Sequence, residues 1–145
     1  MIAIPYEDRS EIIELTHRYS LYIDSKRIDE LVELFTDDAL VDETGIGLPA
    51  AQGREKLRTY FADGAAAVQS MIHYVTNHIF DHYDGTTARG LCFVLAEARD
   101  LKGGQIKVFG HYQDEYVKLS GRWRFRSRIV KAVVPPELGS YPVEH

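Results

Sequence analysis

Met71-Ile-His-Tyr-Val-Thr-Asn-His-Ile-Phe80 reads as a buried strand with a histidine in it. Side chains alternate along an extended chain, so His73, Val75, Asn77 and Ile79 share one face, and Ile72, Tyr74, Thr76, His78 and Phe80 the other. Neither face is simply polar. An imidazole beside Val75 and Ile79 needs a partner, because an unpaired buried polar group costs on the order of 1–3 kcal/mol. Towards the C-terminus the period stays near two, with turn signals at Asp84-Gly85, Gly103-Gly104 and Ser120-Gly121. The reading is a meander of four long strands over 72–83, 86–99, 105–119 and 122–134.

Towards the N-terminus the period becomes helical. Asp8 and Glu11 resemble a capping box, and Ile12, Leu15, Tyr19, Tyr22 and Ile23 mark a helix over 7–25. Ile28, Leu31, Leu34 and Phe35 give a shorter helix, broken at Thr36-Asp37-Asp38 and followed by a short strand over 39–44. A loop with Gly45, Gly47, Pro49 and Gly53 leads to a third helix over 54–68, with Leu57, Tyr60 and Phe61 inward. Helices first and sheet second is an α+β arrangement. Strands this long must twist and curl. The expected fold is a cone-shaped α+β barrel in which three N-terminal helices pack on a strongly curved antiparallel sheet and enclose a pocket, with His73 a candidate to point into it.

At 145 residues the chain suits one domain, 1–145, able to bury about two-thirds of its unfolded surface. The tail 134–145, with Pro135, Pro136 and Pro142, is expected not to extend the sheet, because proline lacks the ladder donor. It lies across the pocket, reaches a partner subunit or stays disordered. A net charge of −5 argues against nucleic acid as a partner. No apolar run approaches the roughly 18 residues of a membrane span, and the first residues lack a signal-peptide pattern, so a cytoplasmic protein is expected. The single cysteine, Cys92, reads as a small core residue.

Several stretches carry a resemblance. Arg18-Tyr-Ser-Leu-Tyr-Ile-Asp24, Leu34-Phe-Thr-Asp-Asp-Ala39, His73-Tyr-Val-Thr-Asn77, Gly110-His-Tyr-Gln-Asp-Glu-Tyr116 and Gly121-Arg-Trp-Arg-Phe125 are together similar to SnoaL-like proteins of the nuclear-transport-factor-2-like superfamily. Within that group the chain resembles bile acid 7α-dehydratase, scytalone dehydratase and lindane dehydrochlorinase. The resemblance covers nearly the whole chain and implies Asp24 and His73 as a catalytic dyad, Tyr19 as a pocket hydroxyl and Arg128 as a cationic group. It implies a cofactor-independent lyase acting by dehydratase-type elimination on a hydrophobic, cyclic, carbonyl-bearing small molecule such as a steroid-like or polyketide compound. The alternatives are an isomerase or cyclase using the same dyad, or a non-catalytic binding or assembly module, since fold does not fix function.

The chemistry of such a set is coherent. Histidine titrates near working pH and serves as a base for an acidic C–H, while a carboxylate on its other ring nitrogen fixes the tautomer. A tyrosine can donate to a developing enolate oxygen and an arginine can hold an anion. Two features of the sequence oppose this set. On an ideal helix Asp24 lies about 140° from Tyr19. Arg122, Arg124, Arg126 and Arg128 alternate onto one face, so Arg128 enters the interior only if a bulge re-aims the strand. No metal is expected: His78 and His82 sit about 13 Å apart on an ideal strand, too far to share one ion. The long sheet offers an association face, so a homodimer or higher homo-oligomer is expected.

Overall fold

The computed structural model describes residues 1–143. Helix α1 (Tyr6–Asp24) starts behind Pro5 and buries Ile12, Leu15, Tyr19 and Tyr22. Helix α2 (Ile28–Glu33), strand β1 (Phe35–Asp42), a 3₁₀ turn (Thr44–Ile46), strand β2 (Ala50–Gln52) and helix α3 (Arg54–Ala67) follow. The long strands are β3 (Val68–Tyr83), β4 (Thr87–Asp100), β5 (Gly104–Leu119) and β6 (Arg122–Ala132), and a short β7 (Glu137–Ser140) closes the order. The sheet runs β2-β1-β6-β5-β4-β3, with β7 beside β5. It curves around the helices as an open α+β cone with β2 and β3 at its edges.

Four expectations need correction. Phe35 opens β1 rather than ending a helix. Its strand runs parallel to β6, with Phe35 opposite Phe125, so the sheet is mixed and the wholly buried Phe35 ring packs as part of it. The tail does extend the sheet: β7 pairs antiparallel with residues 104–107 of β5, beyond the stretch that β6 covers. Pro135 and Pro136 precede β7, so no ladder donor is lost. Asp8 does not cap α1, which begins two residues earlier. Its buried carboxylate instead accepts from Tyr83 Oη (2.5 Å), Lys118 Nζ (2.8 Å) and Trp123 Nε1 (2.9 Å), tying α1 to the far end of the sheet. Finally, alternation fails at two places.

The first is Asn77, whose φ of 55° coincides with a register break between Thr76 and Ile79. Before it His73 and Val75 face inward; after it His78 and Phe80 do, and Ile79 is turned out to 57% exposure. Gly90 pairs with Phe80 at this bulge, and a Cβ there would lie 2.2 Å from the Ile79 carbonyl oxygen. The second is Arg126, left over between the pairs Tyr116–Phe125 and Glu115–Ser127. One extra residue shifts the pleat by one position. Trp123 and Phe125 are therefore followed on the inner face by Arg128 and Val130, while Arg122 and Arg126 face solvent. On the outer face Ile72, Tyr74, Phe93 and Leu95 are exposed.

The Asp8 network carries a pH prediction. Hydrogen bonds from Lys118, Trp123 and Tyr83 hold its carboxyl down at about 2, below the ordinary 3.8. A lowered folded value means that its stabilisation is complete above about pH 4 and lost as pH falls towards about 2. Asp8→Asn should lower Tm at neutral pH and flatten the fall of Tm between those limits. Thermal melts of both proteins across acid pH check this.

Candidate active site

The site begins where α1 stops. Ser25 ends the helix, Lys26 takes a left-handed φ of 58°, its N–H donates to the Ile23 carbonyl (3.1 Å), and Arg27 N–H donates to the Tyr22 carbonyl (2.8 Å). This Schellman closure fixes the last helical residue, Asp24. A carboxylate there sits against the negative end of the helix dipole, and no basic residue of the last turn relieves it. Its relief comes from β3. Asp24 Oδ2 accepts the backbone N–H of His73 (2.9 Å) and Oδ1 meets the ring Nδ1 (2.6 Å). β3 is an edge strand, so the His73 N–H is free for this contact. Lys26 Nζ takes the Val68 carbonyl of the same edge (2.7 Å). The two side chains are 14% (His73) and 22% (Asp24) exposed, so the pair is only partly screened by water.

Asp24 bonded to Nδ1 leaves Nε2 as the ring nitrogen open to a ligand. His73 lines a cavity of about 450 Å³, within the range of ordinary ligand sites. The cavity exists because the inward positions at that end of the sheet are small or branched: Val94, Ala96 and Ala98 on β4, Ile106 and Val108 on β5, Val130 on β6. At the other end of the cone Phe80, Tyr116, Trp123 and Phe125 fill the interior. A wall of Ile46, Leu48 and Pro49 and the inner face of α3 complete it.

Tyr19 and Arg128 lie behind the histidine. The Tyr19 ring meets the His73 ring edge-on at 6.5 Å and the Arg128 guanidinium stacks over Tyr19 at 4.4 Å. Asp24, His73, Tyr19 and Arg128 thus form one contiguous row, although Asp24 and Tyr19 leave α1 on different sides, because the helix end crosses the β3 edge while Tyr19 points into the core. Only His73 of the four lines the cavity. Arg128 is fully buried, with Nε and Nη2 each 2.8 Å from Asp114 and rings of Tyr112 and Phe125 on its faces. Among the described residues Tyr19 Oη and Arg128 Nη1 have no hydrogen-bond partner. The expected donation from Tyr19 to a substrate oxygen, and anion binding by Arg128, lack the cavity contact they require.

Other titratable groups sort themselves by environment. Burial pushes the Cys92 thiol up to about 12, as befits a core residue beside Asp114 and Arg128 rather than a nucleophile. Burial and His17 bring His78 down to about 4. Thr16 spends its one proton on the Ile13 carbonyl (2.8 Å), so its contact with His78 Nε2 (2.7 Å) makes that nitrogen the donor. Among the described residues no three His, Cys, Asp or Glu cluster as metal ligands.

Sequence reading placed Tyr60 inward but gave neither it nor Glu43 a role; both line the cavity, as do Asp63 and Glu97. Tyr60 Oη donates to Glu43 Oε2. Burial raises the Glu43 carboxyl from its ordinary value, with the Tyr60 bond and the His73 ring pulling it back. No periodicity marks Glu43, which follows the last residue of β1. Its one signal is a carboxylate placed between a strand and an apolar loop, Ile46-Gly-Leu-Pro49.

Residues 5–129 match the model of the SnoaL-like domain. An uncharacterized protein of Mycobacterium tuberculosis H37Rv is 32% identical over 127 residues, covering 84% of this chain and 83% of that one. Among solved structures, a Novosphingobium aromaticivorans protein provisionally assigned as an aromatic ring hydroxylase superposes with a TM-score of 0.90 at 28% identity, covering 94% of this chain and 96% of the other. A second protein of that organism, provisionally assigned as a scytalone dehydratase, gives 0.81 at 25% identity, covering 94% and 89%. Two neighbours of one fold carry different activities in their names, so the cavity residues must decide.

Proposed function

Because the chain belongs to the SnoaL-like family, we propose that it is a small-molecule enzyme, a lyase that removes water from a hydrophobic, cyclic, carbonyl-bearing substrate without a cofactor. The observation that carries this reading is the Asp24–His73 pair opening through one ring nitrogen onto an apolar cavity. Nε2 of neutral His73 takes the proton on the carbon next to the carbonyl. Asp24 keeps the remaining ring proton on Nδ1 and stabilises the imidazolium as it forms. The C-terminus of α1, which carries Asp24, adds its own negative potential to that stabilisation. Apolar walls exclude water and strengthen these interactions. Tyr19 and Arg128 act in this reading as the support behind the His73 ring, without touching the substrate.

The test is a panel of β-hydroxy cyclic ketones of one to three rings, followed by enone absorbance and by mass spectrometry for loss of water. Turnover that disappears in His73→Ala supports the reading. Turnover that survives in His73→Ala sinks it, and a product of unchanged mass replaces it with isomerisation or cyclisation by the same base. Tight binding of the ketones without conversion would make the domain a ligand-binding module.

A further inference from the structure

Elimination of hydroxide needs a second group, because a poor leaving group must acquire a proton as its bond to carbon breaks. We propose that Glu43 is that proton donor, acting from the cavity wall on the departing oxygen while His73 acts on carbon. This deepens the elimination reading and rests on it.

Three observations converge on Glu43. Its backbone is fixed without help from its side chain: the N–H donates to the Pro49 carbonyl (3.3 Å), and its carbonyl accepts from Ile46 (3.0 Å) and Leu48 (3.1 Å), closing the loop that walls the cavity. The carboxyl is therefore not needed to hold that loop. It lines the same cavity as His73. Among the described residues it makes no ion pair, and its one hydrogen-bond donor is Tyr60, on Oε2. A carboxyl among apolar walls without an ion-pair partner favours its protonated form. The groups that bear on it are Tyr60 of α3, His73 of β3, Arg128 of β6, Asp42 of β1, Tyr19 of α1 and Tyr112 of β5; burial outweighs the first three, which pull the other way.

The protons balance. The C–H electron pair forms the new C=C bond as its proton passes to His73 Nε2, the C–O bond breaks, and the Glu43 O–H proton joins the leaving oxygen to give water. One proton passing from the imidazolium to the Glu43 carboxylate restores both groups. No oxidant or reductant enters.

The experiment compares 3-hydroxycyclohexanone with its 3-chloro analogue, since chloride leaves without a proton. Glu43→Gln keeps an oxygen for Tyr60 and removes the acid. General acid catalysis contributes about 10²–10⁴-fold. Glu43→Gln should therefore lower kcat on the hydroxy ketone by about 100-fold more than on the chloro ketone, with KM little changed. Infrared spectra at pH 7 should show a protonated carboxyl band that Glu43→Gln abolishes. Tyr60→Phe, which takes away only the hydrogen bond, should not reproduce the leaving-group difference. Equal losses on both ketones, a missing infrared band, or Tyr60→Phe matching Glu43→Gln overturns the assignment while leaving the His73 reading intact. If the unmodified protein converts neither ketone nor any of the wider panel, the elimination reading fails and the role of Glu43 falls with it.

Discussion

Asp24→Asn is expected to lower kcat on a dehydrating ketone by about 10²–10⁴-fold while KM stays near its original value. The reason is the double contact of this carboxylate. Its two oxygens accept from two donors of one residue, the His73 backbone N–H and the ring Nδ1–H. An asparagine has one oxygen and one NH₂, so it cannot accept from the backbone N–H and from Nδ1–H at once. If the NH₂ faces the ring, Nδ1 must accept, the proton moves to Nε2, and the base is lost. If the oxygen faces the ring, the backbone N–H loses its partner, and the negative charge that stabilises the imidazolium is gone in either case. Asp24 is absent from the cavity lining, which is why KM should hold. Steady-state kinetics of the two proteins, with Tm as a check on folding, decide it. A variant with unchanged kcat would remove the dyad from the mechanism.

Asp114→Ala should cost about 3–5 kcal/mol of stability, because it strands a cation where water cannot reach it. Arg128 and Asp114 are both wholly buried and meet through two 2.8 Å bonds. Tyr116 Oη also donates to Asp114 (2.8 Å), so the substitution orphans a hydroxyl as well. The stacked rings around Arg128 favour the cation but cannot replace its carboxylate. Desolvation of both ions makes the pair itself worth little, so Asp114→Leu combined with Arg128→Met should recover most of the loss. Urea unfolding of the single and double variants checks both statements. A single variant within about 1 kcal/mol of the parent would mean that water reaches the guanidinium.

Legibility of the site followed its range along the chain. Asp24 and His73 stand 49 residues apart, and no spacing joins them. Resemblance to a family paired them, whereas residue chemistry alone left His73 in want of some partner. Glu43 stayed hidden because a carboxylate after a strand looks like any loop residue until α3 and β3 fold over it. Arg128 was conditional on a bulge that its strand contains, yet the bulge delivers it to Asp114 in the core rather than to the cavity.

What the sequence by itself determined is what short-range geometry dictates: the helical stripe of Ile12, Leu15, Tyr19 and Tyr22, the period-two runs of the four long strands, and the turns between them at Gly85, Gly103 and Gly121, each with positive φ. These follow from sterics and from burying one face of each element, both properties of neighbouring residues. Only the tertiary structure decided the bulges at Asn77 and Arg126, the parallel pairing of β1 with β6, the addition of β7 to β5, and the three donors around Asp8. Each of these depends on which strand lies alongside and where its register breaks. A single inserted residue exchanges the inner and outer faces of a strand, and its cost or gain is set by the partner across the ladder, which no local pattern encodes.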